Sequence, residues 1–399
     1  MKILFFNRFF FPDTSATSQI VSDLAFHLAR LGHDVHAITS RVPGPEVSVE
    51  AAHGVTIHRV AEATTTPHGL LRRGLGYVGY YRGARRAARQ LIAPGDIVVI
   101  KTDPPLASRA VGPLAHRLGA RTVVWLQDLF PEVAHRYGVP GAGGLSGAAL
   151  RRMRNDSLAI ADRVVVIGDL MAAHLEREDC VPHDRVEVIH NWADGTAIVP
   201  VDPADNALRR TWDLGDKFVV GYSGNLGRVH EFDTLLAAAA KLKDDDGIVF
   251  LIIGRGPRLA EVQEKARREG LSNLRFEPHQ ERELMAQSLG AVDVHLSVLR
   301  PEFEGLVHPS KLYGIMAAGR PTIFIGDPRG ETASILAATG SGTSVAMGDA
   351  EGLVAAIRAL RGDTDERLRM GQRARQAFDQ RFAMPIALGQ WTTLLEKLS

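Results

Sequence analysis

The chain has 399 residues, of which 45% are hydrophobic and 23% are charged, a globular composition that excludes disorder for most of its length. Its 47 basic and 46 acidic side chains leave a net charge of +1, which disfavours strong nucleic-acid binding driven by overall charge. The single cysteine, Cys180, cannot form an internal disulfide or supply a zinc cluster, and it fits a reducing compartment. The length predicts two or three domains.

The first residues contain a short apolar run that is interrupted at Asn7 and Arg8, with Asp13 close behind. We interpret residues 3–6 as a buried strand and not as an export signal. No apolar run in the sequence approaches the roughly 18–20 residues that cross a bilayer. We therefore expect a cytoplasmic protein.

Short runs of β-branched and aliphatic residues alternate with helical patterns through the first half of the chain. Most of these runs are continuously apolar, which is typical of strands buried on both faces of a parallel sheet. Residues 17–31 have apolar side chains at helical spacing, and Gly32 is expected to end that helix. The predicted strands are 2–6, 35–39, 55–60, 96–100, 121–126, 163–167 and 186–189.

The alternation begins again after residue 195. Residues 196–217 are polar and contain Pro200 and Pro203, which predicts a linker. The strands predicted after it are 218–223, 248–254, 274–276, 292–298, 321–326 and 343–347. Two such sets predict two doubly wound parallel α/β domains, residues 1–195 and 196–380, that face a cleft, followed by an amphipathic terminal helix within 381–399.

The most informative junction lies in residues 304–326, where His308, Pro309, Ser310 and Lys311 open an amphipathic helix. Proline suits a first helical turn, where its missing N–H would be unpaired anyway. Free N–H groups and the helix dipole favour phosphate there, and the hydroxyl and ammonium groups would add to this. The alternative is a capped helix that packs on the sheet, with Lys311 in solvent.

A second junction, residues 221–242, runs from a strand through a glycine-rich turn into a helix. Gly224 and Gly227 would let the backbone approach a ligand closely, with Arg228 near the start of the helix. A tight turn with an exposed arginine is the alternative. The later glycines in residues 252–257 lack the third glycine of a dinucleotide fingerprint, so we expect no nicotinamide cofactor.

Two junctions in the first half carry small or acidic residues. Ser15, Ala16 and Thr17 could admit a phosphate or a sugar at the start of the first helix, or the serine could be a plain cap. Asp128 follows a buried strand, where a carboxylate could orient a sugar or take a proton. A helix cap or a structural hydrogen bond is the alternative for Asp128.

Residues 63–95 contain no acidic side chain but six arginines, interleaved with tyrosines. Arginine attracts anionic headgroups and tyrosine suits a membrane interface, so this segment predicts membrane or acceptor contact. An ordinary basic helix with a core face is the alternative. The residues predicted to make this contact are Arg72, Arg73, Tyr77, Tyr80, Tyr81 and Arg82. The histidines are scattered without metal-ligand spacing, and we expect no metal site.

Together these segments resemble the family 4 glycosyltransferases, above all the bacterial subgroup that builds O-antigen, colanic acid and related exopolysaccharides, including fucosamine-type transferases. The similarity covers essentially the whole chain, and the order and spacing of the motifs make it specific. The motifs are LARLGHDVHAIT (28–39), WLQDLFPE (125–132), DRVVVIGDLM (162–171), VIHNWAD (188–194), YSGNLG (222–227), LIIGRGP (251–257) and PSKLYGIMAAGRPTIF (309–324).

The resemblance implies a GT-B fold of two Rossmann-like domains, with a terminal helix that returns to the first domain. It implies retaining, metal-independent transfer of a sugar from a UDP- or GDP-type donor to an acceptor hydroxyl, here a polyprenyl-linked glycan at the inner face of the cell membrane. The donor would lie mainly in the second domain. Arg228 and Lys311 would then neutralise the diphosphate leaving group together with N–H groups at 309–311.

The resemblance also assigns the remaining site residues. Asp128 lies at about the position of a functional histidine in many relatives, and Glu304 or Glu302 corresponds to the first of two glutamates near the helix start. Gly314 occupies the place of the second glutamate, which commonly binds the ribose. The residues expected to bind the donor are Ser15, Ala16, Thr17, Gly224, Asn225, Gly227, Arg255, Pro278, His308, Pro309, Ser310 and Tyr313.

Three alternatives stay open at this point. A non-hydrolysing nucleotide-sugar epimerase has the same architecture and would need no acceptor. A transferase acting on a soluble acceptor would leave the basic segment as plain surface. A non-catalytic subunit of a glycan assembly complex would account for Gly314.

Overall fold

The computed structural model describes residues 1–41, 49–62 and 70–399, without the side chains of residues 61, 62, 70–73 and 75. The chain divides into two compact units, each built around its own β-sheet. The first unit comprises Met1–His190 together with Ala387–Ser399, and the second unit comprises Asn191–Ile386.

The first unit contains an eight-stranded sheet. Its strands are β1 (Lys2–Phe6), β2 (Asp34–Arg41), β3 (Val49–Ala52), β4 (Val55–Glu62), β5 (Ile97–Lys101), β6 (Arg121–Trp125), β7 (Arg163–Val166) and β8 (Val186–Val188). They lie in the order β3-β4-β2-β1-β5-β6-β7-β8, and all these pairs are parallel except the antiparallel pair of β3 with β4. Central β1 buries its apolar residues on both faces, as expected for a covered parallel sheet.

Helices separate these strands along the chain. They are α1 (Ala16–Arg30), α2 (Leu70–Leu91), α3 (Ala107–Arg117), α4 (Glu132–Arg136), α5 (Gly144–Ala159) and α6 (Asp169–Arg177). Helix α1 begins after Ser15, whose Oγ accepts a hydrogen bond from the N–H of Ser18. It is followed by Gly32, which has a φ of +85°, so the predicted end of this helix is confirmed.

The second unit contains a six-stranded sheet in which every pair is parallel. Its strands are β9 (Phe218–Asn225), β10 (Ile248–Arg255), β11 (Leu274–Glu277), β12 (Val294–Val298), β13 (Thr322–Gly326) and β14 (Gly342–Ala346). They lie in the order β11-β10-β9-β12-β13-β14. Strands β9 and β12 are therefore neighbours in the sheet, although two strands and three helices separate them along the chain. All strands predicted for this half are confirmed.

The helices of the second unit are α7 (Ala207–Thr211), α8 (Asp233–Lys241), α9 (Leu259–Arg268), α10 (Met285–Gly290), α11 (Lys311–Ala317), α12 (Glu331–Thr339), α13 (Ala350–Gly362) and α14 (Thr364–Ala377). The prediction of a linker over residues 196–217 is wrong for the part that forms α7. Arg209 in this helix is buried, donates to the carbonyl of Ala291 and pairs with Asp293 at 3.1 Å. This buried ion pair fixes α7 to the second unit.

The last helix, α15 (Met384–Glu396), contributes its final turns to the first unit. The Trp391 ring is fully buried, with its centroid 4.6 Å from that of Trp125 at the end of β6. Thr392 Oγ1 lies 3.3 Å from Nε2 of His27 in α1. Within the described ranges, none of the helices combines the length and the apolarity that a membrane crossing requires.

Candidate active site

The carboxyl ends of β9 and β10 approach each other so closely that only glycine fits between them. Gly254 has a φ of +155°, and a Cβ there would overlap the carbonyl oxygen of Gly224. Gly224 itself has a φ of +128°. The glycines of the fragment interpreted above as an incomplete dinucleotide fingerprint therefore serve the close approach of two strand ends.

Lys311, the first residue of α11, reaches this same point. Its ammonium donates a hydrogen bond of 2.5 Å to the hydroxyl of Tyr222 and lies 3.8 Å from the centre of that ring. A Cβ on Gly224 would lie 3.7 Å from Cε of Lys311, so the glycine leaves the space beside the ammonium open. Burial lowers the pKa of Lys311 to about 7. The structure thus gathers Gly224 and Lys311, two predicted site residues, around a tyrosine that the sequence analysis did not select.

Tyr222 and His230 brace the glycine-rich turn from inside the unit. The buried Tyr222 hydroxyl lies 2.8 Å from the carbonyl oxygen of Asn225, to which it donates, and 3.1 Å from Nδ1 of His230. Nδ1 of His230 accepts a hydrogen bond from the N–H of Gly227. Burial, aided by the charge of Lys311, lowers the pKa of His230 to about 2, so this imidazole is neutral at physiological pH.

Four other predicted residues lie at the carboxyl ends of neighbouring strands. Asn225 and Arg255 are the exposed last residues of β9 and β10, Arg228 is exposed shortly after β9, and Pro278 is exposed directly after β11. The side chains of Arg228 and Arg255 make no hydrogen bond or ion pair with any residue that the structure describes. Ligands of open α/β sheets bind at this edge, so the position of all four suits a bound donor.

The loop before α11 differs from the expectation. Helix α11 has seven residues, and Ser310 precedes it without a side-chain capping bond, while Pro309 has no N–H to offer. The dipole of this short helix would therefore add little to the attraction that the charge of Lys311 exerts on a phosphate. His308 lies beside Tyr313, with ring centroids 5.5 Å apart. Tyr313 is fully buried and packs on Phe382, so the prediction that it contacts the donor is wrong, because the ring belongs to the core.

Gly314 faces apolar neighbours. A Cβ at this buried position would lie 3.5 Å from Cδ1 of Leu289 and 3.9 Å from Cδ1 of Ile198. A carboxylate carried there would first meet these two side chains. Where the resembling family has a glutamate, this chain therefore has a glycine with apolar neighbours.

Glu304 caps a different helix from the one predicted to bind phosphate. Its Oε2 accepts a hydrogen bond of 3.3 Å from the N–H of Glu331, the first residue of α12, and its Oε1 contacts Gly330 closely enough to exclude a Cβ there. Burial, with smaller contributions from Asp327 and Glu331, raises the pKa of Glu304 to about 7. This contact accounts for a buried carboxylate without a substrate, and a catalytic role for Glu304 stays a prediction.

The loop after β1 is a capping structure. The Ser15 hydroxyl donates to Oδ1 of Asp13 as well as capping α1, so the cap interpretation of this serine is confirmed. The exposed Ala16 and half-buried Thr17 form the first turn of the helix. The carbonyl of Thr17 accepts a hydrogen bond of 2.9 Å from Nζ of Lys101, at the end of β5.

Lys101 and Asp128 meet at the carboxyl edge of the first sheet. Lys101 is 2% exposed, with its ammonium 4.4 Å from the centre of the Trp125 ring, and burial lowers its pKa to about 7. Asp128 reaches solvent, yet the protein around it desolvates the carboxyl and, together with Asp103, raises its pKa to about 6. Both residues line a cavity of about 20 Å³, enough for one water molecule. Asp128 could be selected from its sequence context, whereas the only sequence signal for Lys101 was a lysine at the end of an apolar run.

The basic segment forms helix α2, and its tyrosines mostly face inward. Tyr80 is 1% exposed and donates to the carbonyl of Ile38, while the hydroxyl of Tyr81 donates to the carbonyl of Pro105. The prediction that these two contact a membrane is therefore wrong, because they pack against and hydrogen-bond their own unit. Tyr77 is half-buried, with the Arg8 guanidinium 5.1 Å from its ring centre, and Arg82 is exposed. The side chains of Arg72 and Arg73 lie outside the described part of the structure.

One acidic cluster among the described residues resembles a metal site. Single ligand atoms of Glu132, His174 and Glu178 lie within 4.8 Å of one another. The guanidinium of the buried Arg154 lies between the two carboxylates, at 3.0 Å from Glu132 and 2.7 Å from Glu178. Arginine therefore supplies the positive charge that balances this cluster.

Comparison with known proteins identifies the family. The Glycosyltransferase Family 4 sequence model matches residues 17–195, and the Glycosyl transferases group 1 model matches residues 205–377. A relative from Escherichia coli (strain K12), named as the colanic acid biosynthesis glycosyl transferase WcaI, is 27% identical over 382 residues, which cover 90% of this chain and 91% of its own length.

Solved structures show the same fold. The sucrose-phosphate synthase of Thermosynechococcus elongatus has a TM-score of 0.79 at 18% identity and covers 100% of this chain and 99% of its own. HepE of Anabaena, solved with UDP and glucose, has a TM-score of 0.74 at 16% identity and covers 99% of both chains. With two parallel-sheet α/β units of the GT-B fold and family matches over most of its length, the chain belongs to the family 4 glycosyltransferases.

Proposed function

We propose that this protein is a retaining glycosyltransferase of bacterial surface polysaccharide synthesis, which moves a sugar from a nucleoside-diphosphate donor to a polyprenyl-linked glycan. The observation that carries the proposal is the Lys311 ammonium beside Gly224, which contacts the Tyr222 hydroxyl and ring and pairs with no carboxylate of the described residues. A partly buried positive charge without a counter-ion suits an anionic ligand. The donor is of the UDP or GDP type, and no metal or further cofactor takes part.

The relatives support this direction. WcaI is named for colanic acid biosynthesis, and HepE was solved with UDP and glucose. HepE also shares the fold described above. A nucleotide sugar is therefore the ligand class to test first at the carboxyl edge of the second sheet.

The proposed chemistry requires little covalent participation by the protein. The bond from the anomeric carbon to the diphosphate oxygen breaks while the acceptor oxygen bonds to the same face of the sugar, and the acceptor hydroxyl gives its proton to the departing diphosphate oxygen. Negative charge grows on the departing diphosphate, where Lys311 and the exposed Arg228 would stabilise it. Asp128, near the end of β6, would accept a hydrogen bond from a sugar hydroxyl.

A thermal-shift screen tests donor binding. Purified protein is heated with UDP, GDP, TDP, CMP and their common sugar conjugates, without metal. A ligand that binds only the folded state stabilises it by about 2.7 kcal/mol at roughly 100 times its dissociation constant. We expect one nucleoside diphosphate to raise the melting temperature, and Lys311→Met to remove the shift.

The screen also separates the alternatives. A folded protein that responds to no nucleotide would contradict the transferase proposal and favour a non-catalytic subunit. Product formed from a nucleotide sugar alone would favour an epimerase. Lys243→Met serves as the matched control, because Lys243 is exposed between the end of α8 and the start of β10, at the edge of the second sheet opposite to the proposed site.

The acceptor side of the proposal rests on helix α2. Arg82, Arg86 and Arg89 are exposed, lie at helical spacing and pair with no acidic side chain among the described residues. Val78, one turn earlier, is 41% exposed. A basic face with an apolar edge suits an anionic lipid surface, and we propose peripheral binding to the inner face of the cell membrane.

Neutralising this face should release the protein from anionic vesicles. Each arginine near a charged membrane surface contributes about 1 kcal/mol, so replacing Arg82, Arg86 and Arg89 by glutamine is expected to weaken binding about a hundredfold. The measurement is co-sedimentation with phosphatidylcholine vesicles that contain phosphatidylglycerol, and with phosphatidylcholine alone.

The control variant removes three exposed charges of the second unit, at Lys243, Arg268 and Arg358. Equal loss of vesicle binding in both triple variants would mean that net charge, and not the basic face of α2, drives the binding. Unchanged binding by the α2 variant would favour a soluble acceptor over a lipid-linked one.

A further inference from the structure

Lys311 has an uncharged partner where a buried ammonium usually has a carboxylate. We propose that Tyr222 is the positioning residue for Lys311, and that binding of the donor diphosphate takes up one proton from solvent at the Lys311 amine. The inference rests on the proposed function, since it concerns how the same site receives its anion. It adds Tyr222 to the site and gives donor binding a defined dependence on pH.

The Tyr222 hydroxyl donates inward, where the Asn225 carbonyl and, at 3.1 Å, Nδ1 of His230 are the acceptors within reach. The side chain is fully buried, and its proton is directed to the carbonyl of Asn225 at 2.8 Å. Its oxygen is then left as an acceptor for the ammonium of Lys311, whose Nζ lies 2.5 Å away. The face of the same ring lies 3.8 Å from that nitrogen. Two contacts with one side chain thus fix Lys311 beside the open space at Gly224.

Among the residues that the structure describes, none of the groups that face Lys311 is an acid that could balance its charge. Burial raises the pKa of Tyr222 well above its usual value, so the phenol stays neutral. His230 is neutral as well, and behind it the guanidinium of Arg258 donates to the His230 carbonyl at 2.7 Å. Arg258 in turn pairs with Glu261 on α9, so that carboxylate is already engaged. The charge balance at Lys311 is left to a ligand.

Nucleotide binding should therefore change the number of protons that the protein holds. In the empty site, burial lowers the pKa of Lys311 to about 7, so above that pH most molecules carry a neutral amine. A bound diphosphate supplies the missing negative charge and favours the ammonium. The amine then takes a proton from the buffer, no bond of the nucleotide changes, and the new ammonium pairs with a phosphate oxygen. Affinity therefore falls as the pH rises above 7.

Calorimetry in buffers of different ionisation enthalpy measures this proton directly. The probes are UDP and GDP, whose terminal phosphate is fully ionised at about pH 8 because its second pKa is near 6. With a free-site pKa of about 7, we expect uptake of about 0.9 proton per nucleotide at about pH 8. Lys311→Arg keeps the positive charge but does not titrate, and it should bind with no proton uptake at about pH 8.

Tyr222→Phe tests the positioning role with a readout that a merely structural tyrosine would not move. The variant keeps the ring but removes the oxygen that accepts from the ammonium. The free-site pKa of Lys311 should fall further, so uptake at about pH 7 should rise from about 0.5 proton toward one. A loss of stability alone would leave the proton count unchanged.

The outcomes are distinct. Nucleotide binding by the wild-type protein without uptake at about pH 8 would overturn this inference and leave the proposed function standing. Equal uptake by Lys311→Arg would place the titrating group elsewhere and overturn it too. Absence of nucleotide binding by the folded wild-type protein would overturn the proposed function, and this inference with it.

Discussion

Replacing Lys311 by methionine is expected to lower the rate of sugar transfer about a thousandfold. Loss of one preorganised group at a developing negative charge costs roughly 10²–10³ in rate, and here the group carries a full charge in a partly buried site. Methionine keeps the unbranched stem that passes Gly224 and Tyr222 but has no ammonium. The expected loss is therefore electrostatic and leaves the packing in place.

The measurement is release of nucleoside diphosphate from the donor that stabilises the protein, with extracted lipid-linked glycans as acceptor. The methionine variant should melt no lower than the wild type, because it removes a buried charge that has no counter-ion. Arg228→Gln should also reduce transfer, but less, since this guanidinium is exposed to water. Turnover of the Lys311 variant within about threefold of wild type would refute the phosphate assignment.

Most of the fold could be predicted from the sequence because a doubly covered parallel sheet has a strong pattern. Short β-branched and aliphatic runs, most of them continuously apolar, identified every parallel strand of both units. The strand that was missed, β3 at Val49–Ala52, forms the antiparallel edge of the first sheet. It is short, partly exposed and rich in alanine, so it has neither a continuous run nor a clear alternation.

The site was predicted in part, and what was missed depends on partners distant in sequence. Lys311 could be selected because it stands in a recognisable motif at a helix start. Tyr222 lay inside a quoted motif too, but nothing local indicates that it points to a lysine 89 residues later. Tyr80 was assigned to a membrane because composition cannot tell which side of a basic helix faces the sheet. In the structure the Tyr80 hydroxyl donates a hydrogen bond to the carbonyl of Ile38.

The burial of Lys101 also depends on partners distant in sequence. We expect it to make the stability of the first unit depend strongly on pH. Its ammonium is buried against Trp125 and donates to the Thr17 carbonyl, while Asp103 and Asp128 offset only part of the desolvation. The pKa of Lys101 is about 7 in the folded protein, against 10.5 for an unperturbed lysine. Between these values the unfolded chain holds the proton and the folded one does not, so stability rises with pH in that window.

Lys101→Met should abolish that gain. Each unit of pKa difference corresponds to 1.36 kcal/mol, so the wild-type first unit should gain about 3 kcal/mol between about pH 7 and 9.5 relative to the variant. Near pH 7 the variant should be at least as stable as wild type. There about half of the folded wild-type molecules still carry the buried charge, and methionine fills the same space without it.

Urea unfolding at the two pH values can isolate the first unit. The chain has four tryptophans, and Trp192 and Trp212 lie in the second unit. With both replaced by phenylalanine, fluorescence reports Trp125 and Trp391, which contact each other in the first unit. Lys243→Met, at an exposed site, should show the pH dependence of wild type. If Lys101→Met kept that dependence as well, Lys101 would hold its proton in the folded protein. Asp128 would then face a permanent positive charge at the edge of the first sheet, and its carboxylate would stay ionised at neutral pH.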